Sequence, residues 1–331
     1  MKLGTAVIGL GVGEAHARAY AAMPDCELRW VADLDVARAE RLAGELGCKA
    51  TTAFETLLAD PQVEIVSIAS YDDAHAEQVT SALRSGKDVF AEKPIARTER
   101  ELADVKTVWL RSGRHLASNL ILRAAPLYRQ LRETIARGEL GEIYAIDGDY
   151  LYGRIEKITG GWRAGVDAYS VMEGGGVHLV DLMMWLTGQR PHRVTAAGNR
   201  IATAETPFRY RDFQAATFEF ASGLVGRITA NFGCVHRHQH VLRVFGTRGT
   251  FIYDDRGARL HRSRDPETPA DSLEAAPLAA NKGALLPDFV QTVRSGQRDE
   301  AATQLHLDVL SACAAADRAA DTGTSLEIHY V

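Results

Sequence analysis

The feature that most constrains this chain is a glycine-rich segment near its start. An apolar run over residues 6–8 leads into Gly9, Gly11, Val12 and Gly13, and alanines at helical spacing follow. This order predicts a buried strand, a tight turn and the first turn of a helix. Such a turn lets the backbone approach a pyrophosphate, which the N–H groups of the new helix hold. The segment predicts a dinucleotide-binding turn, with a purely structural turn as the alternative.

The second strand favours the dinucleotide interpretation. Residues 27–32 read as a strand that ends in Asp33, where a carboxylate accepts the hydroxyls of the adenosine ribose. A helix cap is the alternative role, but Asp35 is better placed for it because a helix opens directly behind it. A carboxylate at Asp33 repels a 2′-phosphate, so we predict NAD as the cofactor. NADP stays possible because Arg38 and Arg41 follow on the next helix.

Composition limits the size of the fold and the kind of partner. The chain has 331 residues, 46% hydrophobic and 24% charged, which is enough to bury two sizeable cores. The formal net charge is -5 and no run of Lys or Arg stands out, which argues against nucleic acid and an anionic membrane as partners. A small-molecule substrate is the expected partner.

The cysteines and the apolar segments indicate where the protein works. The four cysteines are scattered without metal-ligand spacing, so we predict no disulfide and no metal site. No leader pattern precedes the first strand, and no segment approaches ~18 consecutive apolar residues. We therefore expect a cytoplasmic protein.

Strands and helices alternate with short connections up to residue 118. This alternation predicts a doubly wound parallel sheet of the Rossmann type, because parallel neighbours need crossover helices. Ligands of such sheets lie outside the carboxyl ends of the strands. The rule brings three segments to a cofactor crevice: Ser70-Tyr71-Asp72, Glu92-Lys93-Pro94 and the loop that starts at Asn119.

Beyond Asn119 the pattern changes to alternating segments separated by glycine turns, such as 213–221 and 224–232. These predict an α+β domain with a mainly antiparallel sheet. We expect a dinucleotide-binding domain over residues 1–121 and a substrate-binding and oligomerisation domain over residues 122–331. Residues 262–281 read as a polar loop between strands and helices of the second domain.

Two side chains are the strongest candidates for chemistry. Lys93 follows the fifth strand next to Pro94, so its ammonium can reach into the crevice; a lysine with a solvated tip is the alternative. His178 lies at the start of an apolar helix that follows three glycines, with Asp181 one turn later and able to orient the imidazole. A core histidine is the alternative for His178.

Together these motifs resemble the Gfo/Idh/MocA family of NAD(P)-dependent oxidoreductases, and the resemblance runs over nearly the whole chain. The matching residues are the glycine turn with His16, Asp33, His75, Glu92-Lys93-Pro94, Asn119, Arg123 before Pro126, the segment 138–143, Trp162-Arg163, and His178-x-x-Asp181 before Trp185-Leu186-x-Gly188.

The resemblance implies a role for each matching residue. Lys93 would hold and polarise a substrate hydroxyl, and His178 would be the general acid and base. The implied cofactor contacts are Gly9, Gly11, Val12, Gly13, Asp33, Ser70, Tyr71, His75, Glu92, Lys93 and Asn119. The implied substrate contacts are Lys93, Arg123, Trp162, Arg163 and His178.

One departure from the family pattern affects the catalytic set. The family usually has Asp-x-Gly-x-His, but Gly174 stands four residues before His178, with Gly176 retained. Glu173 is the nearest carboxylate and a candidate substitute. A second departure is the loop 70–72, where relatives often have a proline.

The segment 236–240 holds three alternating histidines, which share one face if the segment is extended. Metal binding is one interpretation. The start of a polar strand near the substrate cleft or at a subunit contact is the favoured one.

These observations predict an enzyme that transfers a hydride between NAD(P) and the carbinol or keto carbon of a sugar, cyclitol or sugar derivative. Two rivals stay open because of Gly174: an epimerase, isomerase or lyase with tightly bound NAD, and a non-catalytic ligand sensor. The alternation in residues 214–220 leaves apolar groups on the second sheet, so we also expect a homodimer or homotetramer joined through it.

Overall fold

The computed structural model describes residues 2–331, which form two compact units. The first unit consists of residues up to Ala124, residues 279–307 and Val331. The second consists of residues 125–278 and 308–330. The segment 279–307 therefore packs with the N-terminal residues, whereas the sequence predicts one boundary after residue 121. That boundary between functional domains stays a prediction.

Helices and strands are numbered in chain order. The helices are α1 (Gly13–Ala22), α2 (Val36–Leu46), α3 (Phe54–Ala59), α4 (His75–Arg84), α5 (Glu99–Ser112), α6 (Pro126–Ala136), α7 (Glu156–Thr159), α8 (Val177–Thr187), α9 (Leu286–Ser295) and α10 (Glu300–Thr322). The strands are β1 (Leu3–Ile8), β2 (Cys26–Ala32), β3 (Lys49–Thr51), β4 (Ile65–Ile68), β5 (Asp88–Ala91), β6 (Leu116–Ser118), β7 (Ile143–Leu151), β8 (Pro191–Asn199), β9 (Phe213–Phe220), β10 (Val225–Asn231), β11 (Gln239–Gly246), β12 (Thr250–Asp254), β13 (Gly257–His261), β14 (Asp271–Leu273) and β15 (Leu326–Glu327).

The first unit is built on a parallel sheet of six strands in the order β3-β2-β1-β4-β5-β6. This is the doubly wound Rossmann order, so the predicted fold of this half is confirmed. Every residue of β4 and β5 is buried, as expected for strands covered on both faces. One core cluster joins Tyr20 of α1 and Phe90 of β5 with Phe289 and Val290 of α9.

The helix ends follow local sequence signals. Thr98 and Glu101 form a reciprocal capping box at the start of α5, which satisfies two backbone N–H groups. Gly188 ends α8 with φ at +67°, a conformation that costs glycine little. Between residues 2 and 331, no helix combines the length and apolarity that crossing a bilayer requires.

The second unit contains a sheet of nine strands in the order β14-β13-β12-β11-β7-β10-β9-β8-β15. Neighbouring strands are antiparallel except β7 and β10, which are parallel, so the predicted mainly antiparallel sheet is confirmed. Helix α8 packs on β7 and β10. Gly148 permits this approach, because a Cβ there would lie 3.2 Å from a methyl carbon of Leu179.

The structure differs from the sequence-based elements in the second sheet. The hairpin of β12 and β13 was not predicted, and β14 lies inside the segment predicted as a polar loop. Strand β14 is mostly exposed at the sheet edge, so it lacks the apolar alternation that marks a half-buried strand. The final strand is also shorter than expected, covering Leu326–Glu327 rather than residues 325–330.

Candidate functional site

The glycine turn has the backbone geometry of an anion-binding loop. Gly9 has φ at +83°, and a Cβ there would overlap the backbone of Ala69. At Gly13 a Cβ would lie 3.0 Å from side-chain carbons of Val7 and Ala69, so glycine permits close packing of α1 on the sheet. A Cβ at Gly11 would meet no atom within 4 Å among the described residues. The turn is therefore tight on its inner side and open at Gly11.

The start of α1 completes this loop. Within residues 2–331 no side chain caps α1, whose N-cap is Val12, and the Val12 side chain is exposed. An uncapped N-terminus leaves backbone N–H groups and the positive end of the helix dipole for an anion. The open position at Gly11 and this helix end fit the pyrophosphate of a dinucleotide.

Asp33 holds the glycine turn in place. Its Oδ2 accepts the backbone N–H of Leu10 at 2.7 Å, and its Oδ1 accepts the N–H of Asp35 at 2.9 Å. Each carboxylate oxygen has a further lone pair, so Asp33 can also accept ribose hydroxyls. Arg38 Nη1 lies 3.6 Å from Oδ2, and Asp35 caps α2 by accepting the N–H of Arg38.

A buried polar network ends strands β5 and β6. The Oε1 of Glu92 accepts Nδ2–H of Asn119 at 2.7 Å and lies 3.5 Å from Nε2 of His16. Asn119 Nδ2 also donates to the Lys282 carbonyl oxygen at 2.8 Å. Burial acts to raise the pKa of Glu92, but His16, Asn119 and the charge of Lys93 outweigh it and lower that pKa to about 2. Glu92 is thus an anion at neutral pH, directly before Lys93.

His75 joins two of the predicted crevice loops. Its Nδ1 lies 2.7 Å from the carbonyl oxygen of Pro94, and its Nε2 lies 3.1 Å from the carbonyl oxygen of Ser70. The ring is buried, and the Lys93–Pro94 peptide bond is cis. These contacts make His75 a structural link between the loops, while Tyr71 is exposed beside them. The cofactor contacts of His75, Ser70 and Tyr71 stay predictions.

In the second unit, the glycines before His178 lie in a π-helical turn, Met172–Gly176, that runs directly into α8. Side chains are excluded there because a Cβ at Gly175 would overlap the ring of Tyr150. His178 is in the first turn of α8 and buried, and Asp181 lies one turn later, 1% exposed. The sequence signal of three glycines therefore reflects close packing.

The space beside Gly174 is filled by a residue that the sequence analysis missed. A Cβ at Gly174 would overlap the hydroxyl of Tyr169, which accepts Nε–H of Arg163 at 3.1 Å. The guanidinium of Arg163 stacks on Trp162 at 4.5 Å. Tyr169 lies in an irregular segment, where no periodicity could have indicated it. The structure thus gathers Trp162, Arg163 and Tyr169 beside Gly174 and Glu173.

His178 belongs to a cluster of aromatic rings. Its ring centroid lies 5.7 Å from that of His240 and 6.2 Å from that of Tyr150. The rings of His238 and His240 are 4.9 Å apart, and Tyr150 contacts both. Two of the three histidines of the 236–240 segment therefore surround the predicted acid and base.

His236 does not join this cluster. Its Nε2 lies 3.0 Å from Oδ2 of Asp255, and the Arg237 carbonyl oxygen together with Asp255 raises the pKa of His236. No group of three or more His, Cys, Asp or Glu side chains in the described chain is arranged to hold a metal ion.

Arg123, a predicted substrate contact, lies in a 3₁₀ turn over Ile121–Ala124 of the first unit. Its Nη1 is 3.1 Å from Nε2 of His306. The predicted contact with substrate stays a prediction.

Comparison with known proteins gives matches over most of the chain. Residues 3–119 match the model described as "Oxidoreductase family, NAD-binding Rossmann fold", and residues 128–252 match the "GFO/IDH/MocA C-terminal domain". The rhizopine catabolism protein MocA of Rhizobium meliloti is 28% identical over 309 residues, 90% of this chain and 93% of that protein. Inositol 2-dehydrogenase 2 of Saccharopolyspora erythraea is 25% identical over 287 residues, 84% and 79% of the two chains.

A third curated relative and one solved structure extend these matches. The D-glucoside 3-dehydrogenase of Escherichia coli is 28% identical over 247 residues, 70% of this chain and 68% of that protein. A levoglucosan dehydrogenase solved in complex with NADH superposes with a TM-score of 0.88 at 20% identity, covering 100% of both chains. At that identity the superposition shows the shared fold.

The contacts of Asp33 predict the choice of cofactor. We expect the wild type to bind NAD more tightly than NADP, and Asp33→Asn to reverse or narrow this preference. The amide still accepts the N–H of Leu10 but no longer repels a 2′-phosphate beside Arg38. Fluorescence titrations with both reduced cofactors measure the ratio of affinities. Glu40→Gln, exposed on α2, is the control; an unchanged ratio in Asp33→Asn contradicts the role of Asp33.

The lowered pKa of Glu92 predicts acid-sensitive stability. A carboxyl whose pKa falls from 4.5 to about 2 on folding stabilises the native state fully above pH 4.5, and this contribution is lost as the pH falls toward 2. The stability difference between wild type and Glu92→Gln should therefore shrink by about 2 kcal/mol between pH 6 and pH 3. Urea unfolding at both pH values measures it. Glu77→Gln, exposed on α4, should show no such change, and a difference independent of pH would refute the network.

Proposed function

The chain belongs to the Gfo/Idh/MocA family of oxidoreductases, with an NAD-binding Rossmann domain at its N-terminus, and on this premise we propose that it oxidises a carbinol carbon of a sugar, cyclitol or sugar derivative reversibly. The dehydrogenases among its relatives are named for inositol and glucosides, which supports this substrate class. The observation that carries the proposal is the position of Lys93, next to the ionised Glu92 carboxylate at the carboxyl end of β5.

The proposed chemistry divides between cofactor and side chains. Bound NAD supplies the hydride acceptor. Lys93 binds the oxygen of the reacting hydroxyl through Nζ and favours its deprotonated form, because an ammonium stabilises the charge that develops there. Glu92 fixes the backbone before Lys93, since its Oε2 accepts the Lys93 N–H at 3.3 Å.

His178 is proposed to accept the hydroxyl proton at an imidazole nitrogen and to return it in the reverse reaction. Its burial among the rings of Tyr150 and His240 limits its motion, which suits a group that must meet one substrate atom. Asp181, buried on the same helix, is proposed to orient the imidazole.

Two groups can replace the aspartate that the family has at position 174. Glu173 is the adjacent carboxylate, whereas the Tyr169 hydroxyl occupies the space into which a side chain at 174 would extend. We propose that Tyr169, with Arg163 donating to its hydroxyl, supplies the missing hydrogen bond to substrate. Trp162 and Arg163 then form part of the substrate contact surface.

The quaternary structure and location are proposed on sequence grounds. We propose a homodimer or homotetramer joined through the nine-stranded sheet, and a cytoplasmic enzyme.

Substitution of the two central groups tests the reaction. On a substrate found by screening polyols and sugars with NAD, His178→Ala should lower kcat by about 10²–10⁴-fold with little change in NAD affinity. Lys93→Ala should lower kcat similarly and also raise KM, because it removes a charged hydrogen-bond donor. Steady-state kinetics and NAD titration measure both effects.

The exposed residues His192 and Lys49 provide matched controls, and His192→Ala and Lys49→Ala should keep wild-type rates. Full activity in both the His178 and Lys93 variants would contradict the catalytic assignment. Turnover without added cofactor, by protein that carries nicotinamide as purified, would favour the epimerase, isomerase or lyase alternative.

A pair of conservative substitutions separates the two candidates near Gly174. Tyr169→Phe removes only the hydroxyl and should lower kcat/KM by about 10-fold or more, the loss of one substrate hydrogen bond. Glu173→Gln should have a smaller effect. The same kinetic assay decides: a large loss in Glu173→Gln with full activity in Tyr169→Phe would assign the role to the carboxylate.

A further inference from the structure

The first unit contains a cavity of 190 Å³ whose lining includes none of the residues predicted to bind the cofactor. It lies around the edge strand β6 and is bordered by α5, α9 and the first turns of α10. Arg123, a predicted substrate contact, is part of its wall, but no step of the proposed dehydrogenase chemistry takes place in the cavity.

Most of the cavity wall is apolar. Trp109, Leu116, Leu285 and Phe289 contribute to it, and Trp109 and Phe289 are themselves buried. A wholly apolar protein cavity of about 150 Å³ holds one benzene ring. The volume here therefore accommodates an aromatic ring with one small substituent.

Arg298 lines the cavity and carries two hydrogen-bond donors without a partner among residues 2–331. Its Nε and Nη2 are buried and have no hydrogen-bond partner among residues 2–331, and its guanidinium lies over the ring of Trp109 at 5.1 Å. Its Nη1 lies 3.4 Å from Oε1 of Glu300. The Nε–H and Nη2–H bonds of a guanidinium point the same way and match the two oxygens of a carboxylate.

The other polar groups of the wall are mainly donors as well. Trp109 Nε1–H is buried without a partner in the described chain. His306 Nε2 lies 3.1 Å from Arg123 Nη1, which can only donate, and His306 Nδ1 lies 3.1 Å from the backbone nitrogen of Ser118, so the ring faces a donor on each side. Burial and the charge of Arg123 lower the pKa of His306, which keeps the ring neutral. His115 Nε2 is the one unpartnered acceptor among these side chains.

Two carboxylates stand at the outer side of the cavity. Asp288 and Asp299 line it but are exposed, and Asp299 already accepts the backbone N–H of Ala302 at 2.8 Å. A second negative charge on the ligand would be repelled by these two carboxylates, whereas a single negative charge can lie next to Arg298. The arrangement therefore favours ligands with one negative charge over ligands with two.

We propose that this cavity is a binding site for a small monocarboxylate with an apolar body, whose carboxylate pairs with Nε and Nη2 of Arg298 and whose body packs on Trp109 and Phe289. The unpartnered donors favour a ligand that supplies hydrogen-bond acceptors. The apolar wall favours a ligand whose body is apolar rather than water.

Benzoate serves as the probe, with benzamide as a neutral ligand of the same shape and phthalate as a dianion. Saturation-transfer NMR and calorimetric titration of the full-length protein should show benzoate binding that is at least about tenfold tighter than benzamide or phthalate binding. Arg298→Gln should weaken benzoate about tenfold or more, because it removes the charged donor pair. Arg100→Gln, exposed on α5, is the matched control and should bind as wild type.

Trp109→Phe keeps the aromatic ring and removes one donor, so we expect a smaller loss of benzoate affinity from it. This variant also provides the test if Arg298→Gln does not fold.

Benzoate should bind equally with saturating NAD present, which makes the result independent of the dehydrogenase proposal. Three results would overturn the site: no benzoate saturation below about 10 mM, equal affinity in wild type and both cavity variants, or displacement by NAD. A failure of benzoate to saturate the protein would show that the cavity holds only water.

Discussion

The first unit depends on the hydrogen bonds of the largely buried Glu92 carboxylate. This carboxylate connects α1 through His16 and β6 through Asn119, and Asn119 in turn binds the carbonyl oxygen of Lys282. An ionised carboxylate in this position is unfavourable unless several donors surround it. Replacement of any one of these partners therefore leaves the charge of Glu92 short of a hydrogen bond. The same network fixes the backbone from which Lys93 extends. Structural stability and the placement of Lys93, which we propose binds the substrate hydroxyl, therefore share one set of hydrogen bonds.

Close packing has a comparable role in the second unit. The π-helical turn before α8 brings backbone against the ring of Tyr150, which only glycine permits at position 175. At position 174 the same lack of a side chain gives room to the Tyr169 hydroxyl. A carboxylate on a helix and a phenol from a loop differ in charge and in reach. In this chain a side chain at position 174 and the Tyr169 hydroxyl therefore exclude each other.

Much of the fold was predictable because it follows local rules. Alternating strands and helices gave the parallel sheet, and Gly188 marked the end of α8. Within the site, the turn at Gly9 and the helix cap at Asp35 were also predictable from spacing. Tyr169 was not, because its position depends on the folding of an irregular segment against Gly174. The edge strand β14 was missed for a related reason: backbone pairing with β13 forms it, and its side chains carry no burial pattern.

The packing of residues 279–307 with the N-terminal sheet has a consequence for biosynthesis. Leu286, Phe289 and Val290 belong to the same core as Val7, Tyr20 and Phe90, although nearly two hundred residues separate the two groups along the chain. While the ribosome is still translating the second sheet, the nascent Rossmann sheet lacks these side chains, and Phe90 of β5 lacks its contact with Phe289. An apolar surface of this kind binds chaperones or other nascent chains. Completion of the N-terminal core is therefore a late event in synthesis, set by the emergence of α9 from the ribosome.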